Sequence, residues 1–231
     1  MINIKINTMK NQILYLIAGI ILLLVSSCSV PKYYGVKADK YGISEIAYFP
    51  PVSLISLIEH GNQSRYNDSL TRISDSLQRN LIQQNKDEIC LSAMLEIPSN
   101  SSKKNYKREV EAFFGKADKE NDISNVDLPP IIDSMLVANN KRFGLLTMNI
   151  GFERTATNRA IQDAKAVGLA VLTLGTFTQI PISSNSILFA MVVDSKKNSV
   201  VSFRKNTEGD PCDANLLKRK FRKMFKDFFW K

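Results

Sequence analysis

Histidine is nearly absent: His60 is the only one in 231 residues, which excludes a multi-histidine metal site. Three cysteines are too few for the disulfide framework that holds small secreted domains together. No G-x-S-x-G elbow, P-loop or G-x-G-x-x-G run occurs, so nothing indicates the enzyme and nucleotide-binding classes that carry them. Acidic residues are missing altogether before Asp39. What is present has a globular balance, 44% hydrophobic and 23% charged with a net charge of +9, and enough chain for one ample core.

The acid-free start is organised. Lys5 and Lys10 precede Ile13 to Val25, thirteen residues without a charge. A bilayer span takes roughly 20 apolar residues, so this run suits a signal-peptide core better than an anchor. Met9 is a second candidate start, since MKNQILYL forms a compact leader by itself. Val25-Ser26-Ser27-Cys28 follows and closely resembles the lipobox of bacterial lipoproteins: an aliphatic residue, two small ones, then the cysteine that takes the lipid. That resemblance implies a cleaved leader over 1–27, lipidation of Cys28 and a tether to about residue 42. Acyl chains hold such a protein at the membrane by about 0.8 kcal/mol per buried CH₂. Ser29 after the cysteine, where aspartate would resemble an inner-membrane signal, points to the outer membrane. The lack of an acidic run in SVPKYYG points to its periplasmic face.

The remainder, 43–231, alternates strand and helix signals. Strands are expected over Ile43–Phe49, Val52–Glu59, Glu88–Ile97, Phe143–Ile150 with Gly151 as terminator, and Ser186–Asp194 paired in a hairpin with Val200–Lys205. Tyr66, Leu70, Ile73, Leu77 and Leu81 make the stripe of a helix capped by Asn67 or Asp68, with Arg72, Asp75, Gln78 and Arg79 in water. Further helices are expected over Tyr106–Phe114 closed by Gly115, after an Asp127 cap with Ile131, Ile132, Met135 and Leu136 inside, and from Asp210-Pro211 to Phe229. Lys116–Val126 reads as an exposed charged stretch. The order gives an α/β or α+β fold: one domain, a mixed sheet with packed helices.

One insert breaks the pattern. Arg154–Ile182 starts polar and alanine-rich, then runs from Ala166 to Ile182 for seventeen residues without a charge. Its simplest reading is a small-residue helix packed closely on the sheet, followed by an apolar loop. The alternative is a membrane-inserting or oligomer-forming element.

Chemistry is sparse. His60 at a strand end reads as a turn residue, and Cys90, inside an apolar strand, reads as a small buried hydrophobe. Cys90 and Cys212 are expected as two separate free thiols. No catalytic, metal or cofactor residue is identified. Lys218, Arg219, Lys220, Arg222, Lys223 and Lys226 interleave with Leu217, Phe221, Met224, Phe225 and Phe228. This predicts a terminal helix that docks by its aromatic stripe and keeps a basic face for membrane or partner contact. A nucleic-acid partner is not expected outside the cytoplasm.

The RFGLL strand, the apolar Gly/Thr insert, the strand ending in VVD and the closing hairpin resemble a group of Bacteroidota lipoproteins. More distantly, they are similar to the periplasmic domain of curli-secretion-channel lipoproteins and to the TolB N-terminal-like fold. The resemblance implies a soluble α/β domain at the envelope. Three functions follow: a non-enzymatic envelope lipoprotein that binds a partner protein or supports envelope assembly, a subunit of an oligomeric secretion or transport assembly, or a hydrolase without a recognised motif.

Overall fold

The computed structural model describes residues 33–35, 42–99, 101–177, 180–207 and 209–229, with the backbone alone at 33–35 and 227–229. Cys28 and the leader lie outside the described residues. The fold is mixed α/β, one domain built on an eight-stranded mixed sheet. Its strands are β1 (Tyr33–Gly35), β2 (Ile46–Tyr48), β3 (Val52–His60), β4 (Gln63–Tyr66), β5 (Leu91–Met94), β6 (Phe143–Arg154), β7 (Ser184–Asp194) and β8 (Ser199–Thr207). Among the described residues the helices are α1 (Asp68–Gln84), α2 (Lys103–Lys119), α3 (Pro130–Ala138), α4 (Ala156–Leu172) and α5 (Ala214–Phe229).

The order across the sheet is β1-β8-β7-β6-β2-β5. β2 and β3 act as one strand broken at Pro50-Pro51, where ring nitrogens have no hydrogen to give the ladder. Both halves run parallel to β6, with Ala47 opposite Gly144 and Val52 opposite Met148. β6, β7 and β8 are antiparallel to one another in sequence. The tether expected up to residue 42 already contains β1, which pairs with the edge of β8.

Alternation along the strands fills two cores. Leu146 and Met148 meet Phe114, Val110 and Leu136 of α2 and α3 on one face, beside Phe189 and Phe203. Leu145, Leu188, Ala190 and Val192 meet Leu81, Leu217, Phe221 and Phe225 of α1 and α5 on the other. The result is three layers, helices over both faces of the sheet.

Several local expectations change. α1 turns a polar stripe inward: Thr71, Ser74 and Gln78 are buried, while Ile73 is exposed. Gln78 Nε2 donates to Ser53 Oγ at 2.8 Å, and Asn149 Nδ2 donates to Ser74 Oγ at 2.9 Å. The facing strands offer serine and asparagine there, so hydrogen bonds replace apolar contact. Gly115 does not close α2, which continues to Lys119, and Ile123 and Val126 after it are buried. Asp127 does not cap α3; Pro129 takes that position. β6 runs through Gly151, where a Cβ would sit 2.5 Å from Asn185 O, so glycine there permits close strand approach. Cys90 is an exposed turn residue with φ of 51°, ahead of a β5 shorter than expected.

Candidate functional site

The C-terminal end of β6 carries α4 beyond the packed layers. Thr155 caps α4, its hydroxyl accepting from Asn158 N at 3.2 Å. Arg154 gathers the surrounding segments. Its guanidinium donates to Ile182 O at 2.9 Å, Gly61 O at 2.9 Å, Asn158 Oδ1 at 2.8 Å and Asn62 Oδ1 at 2.8 Å. Gly61, with φ of 57° in the β3–β4 turn, also accepts from Asn158 Nδ2 at 3.1 Å through the same carbonyl. One arginine thus joins a strand end, a turn, a helix start and the returning chain.

Beyond this base the helix is open. Asn158 is the one buried side chain described in α4. Val167, Val171, Leu172, Leu174, Phe177, Ile180 and Ile182 are exposed, Leu174 by 92% and Ile180 by 89%. Eight of the eleven large hydrophobic side chains exposed among the described residues fall between Ile161 and Ile182. Full burial of one such side chain is worth roughly 1.5–3 kcal/mol, so the cluster forgoes a large stabilisation in water. The close packing of this helix on the sheet, expected from its small residues, does not occur. A cavity of about 430 Å³ lies between α4 and Ile180–Ile182, floored by Phe152 and Arg154.

A second cleft of about 390 Å³ opens on the other side of Arg154, bounded by Glu153, Arg159, Asp163 and Asp210. Carboxylate oxygens of Glu153 and Asp210 and the sulfur of Cys212 lie within 4.8 Å of one another, all half-buried. Burial pushes the Glu153 carboxyl above its ordinary range; Cys212 opposes this by hydrogen bonding, and Asp210 adds to it. Burial, with the Glu153 carboxyl next, pushes the Cys212 thiol up to about 12. That thiol points to Leu70 O at 3.6 Å. The shifts of Glu153 and Cys212 both favour the protonated form, the opposite of a thiolate nucleophile. Sequence reading missed it because strand β6 and the approach to α5 bring together residues that share no local motif.

The terminal helix keeps most of its expected layout. Leu217, Phe221, Met224 and Phe225 are buried, and Lys218, Arg219, Arg222, Lys223 and Lys226 are exposed. Lys220 is the correction: it is fully buried, with Nζ donating to Ser186 Oγ at 2.6 Å, so it is no part of a basic face. Position 220 lies one residue before Phe221 on the sheet side of the helix, where only the long lysine stem reaches an oxygen. His60 ends β3 at the turn, as expected. Cys90 and Cys212 are both free thiols. Among the described residues no helix is long and apolar enough to cross a membrane.

No family model matches the chain, and no curated protein matches it. Among solved structures, the PelC dodecamer from Paraburkholderia phytofirmans superposes over 87% of this chain and 99% of its own, with 6% identity and a TM-score of 0.40. A point variant of that dodecamer in a second crystal form covers 87% and 100%, with 7% identity and a TM-score of 0.38. A superposition this loose carries no argument about site, assembly or activity.

Proposed function

We propose that this chain is a non-enzymatic envelope lipoprotein, held to the outer membrane by lipid on Cys28, that works by binding through the α4 projection. The observation that carries the reading is a charge-free apolar surface held out from a rigid sheet end by Arg154. Exposed apolar surface on this scale is the usual mark of a binding face. The leader and the Val25–Cys28 motif supply the address. Cys28→Ala is expected to abolish incorporation of labelled fatty acid and to release the protein from membranes. Persistent membrane fractionation with label would overturn the lipoprotein reading.

The same surface suits contact between copies, so a subunit of an oligomeric secretion or transport assembly is the second reading. Gel filtration separates the two, because a ring elutes far above the 26.0 kDa chain mass.

A further inference from the structure

The geometry points to a lipid bilayer as the occupant of the projection: the uncharged end of α4, with Ile180–Ile182, dips into one leaflet beside the anchor. This rests on the proposed envelope location and deepens it by naming what the apolar surface meets.

Hydrogen bonding is the first support. A helix end normally leaves carbonyls for water, and hydrocarbon has no water to offer. Here the end serves itself. Thr173 Oγ1 donates to Leu169 O at 2.8 Å, and Gly175 N donates to Ala170 O at 2.7 Å. Leu174 N donates to Val171 O at 3.2 Å, and Thr176 Oγ1 donates to Thr173 O at 2.6 Å. Thr173 and Thr176, which look out of place in an apolar segment, are spent on backbone oxygens.

Charge placement is the second. Residues 166–182 carry no charge; the cavity between α4 and Ile180–Ile182 is lined by Arg154 and Lys165 and by no acid, while Glu153, Asp163 and Asp210 lie with Arg159 in the second cleft. Cations at that level meet anionic headgroups when the tip is immersed. Depth agrees. From Lys165 to Leu172 the helix rises about 10 Å, against a hydrocarbon core of about 30 Å, so the tip enters one leaflet without crossing.

Strand polarity is the third. Tyr33 pairs with Arg204 and Gly35 with Ser202, while β8 runs on toward Thr207, opposite Ile187. The chain therefore enters β1 from the end of the sheet that carries α4. Four residues separate Cys28 from Tyr33, and the five Cα–Cα steps reach at most about 18 Å. A lipid on Cys28 thus keeps the projection's end of the sheet close to the membrane.

The test uses the full chain, purified from membranes and placed on phosphatidylethanolamine–phosphatidylglycerol vesicles with brominated acyl chains. An environment-sensitive dye is attached at Leu174→Cys, or at Glu111→Cys on α2 as reference, in a Cys90→Ser, Cys212→Ser background. The dye at 174 is expected to shift to the blue and lose most of its emission to bromine; the dye at 111 should do neither. Adding Val171→Asp and Ile180→Asp should return the signal at 174 to that of water. A dye at 174 that stays aqueous on vesicle-bound protein overturns the insertion. So does a dye already shielded without vesicles in a species of twice the monomer mass, which assigns the surface to a second copy. Mass analysis of the Cys28 peptide reads the anchor separately. Lipid present with an aqueous dye removes the insertion and leaves the anchor; quenching without lipid removes the anchor and leaves the insertion.

Discussion

Helices α5 and α4 are almost equal in length, 16 and 17 residues, and their apolar side chains meet opposite fates. α5 buries Leu217, Phe221, Met224 and Phe225 against β7 and β8, whereas α4 leaves Val167, Val171 and Leu172 in the open. Hydrophobic content does not separate them; α4 is the more apolar of the two after Lys165. What separates them is pattern. In α5 charged residues occupy the turns between apolar ones, so a wet face exists and the opposite face is committed to the sheet. In α4 the charges stop at Lys165, and the helix has no wet side to orient it against the protein.

Matched truncations break or sustain this contrast most directly. Phe225→Ala is expected to cost about 3–5 kcal/mol, because it empties a site in ring contact with Phe221 at 4.6 Å. Leu172→Ala removes a side chain that is 84% exposed and should change stability by less than about 0.5 kcal/mol. Chemical unfolding of both variants decides the matter. Equal losses would mean that α4 packs on the domain, and equal indifference would mean that α5 does not.

The part of the fold legible in the sequence is the part set by alternation. Val52–Glu59, the β7–β8 hairpin and the α5 stripe follow from periods of two and 3.6, because burial on one face leaves that trace locally. Positions set by a distant partner were not legible. Gln78 looks solvated until Ser53 lies beneath it, and Lys220 looks like its basic neighbours until Ser186 reaches its ammonium. Gly151 reads as a stop until Asn185 and Ser186 pass within contact of its missing side chain. Of the candidate site, the uncharged run 166–182 was visible in advance; its outward projection and the role of Arg154 were not. Both depend on where β6 ends relative to the helices on either face.

Arg154 is the next point at which to sharpen the comparison. Its four acceptors lie on the returning chain, the β3–β4 turn and α4, so Arg154→Ala should loosen the base of the projection while both cores stay intact. A loss of about 1–3 kcal/mol is expected, since the replaced bonds are charge-assisted yet partly wet. Hydrogen exchange should rise in α4 and in the Gly61 turn and remain unchanged in α5. Faster exchange across the whole sheet would show that α4 is coupled to the cores after all.

The smallest expected effect comes from Glu153, which lies next to that arginine and belongs to the cluster with Asp210 and Cys212. Burial raises its carboxyl above the ordinary range, and Asp210 adds to the shift. Below the ordinary carboxylate range both the folded and the unfolded chain hold the proton. As pH rises, the unfolded chain releases it first, so the contribution of Glu153 to stability falls until the raised value is passed. At neutral pH the raised value therefore counts against the folded state. Glu153→Gln cannot ionise and should therefore raise the melting temperature at neutral pH. Because the side chain is partly solvated, the gain should stay below about 1 kcal/mol, and it should vanish as pH falls through the carboxylate range. Thermal unfolding across that range compares the two proteins. If the glutamine variant is the less stable at neutral pH, and a chelator lowers the parent's melting temperature by a similar amount, then Glu153, Asp210 and Cys212 hold a cation. The stiff base of the projection would then be a ligand site in addition to a structural one.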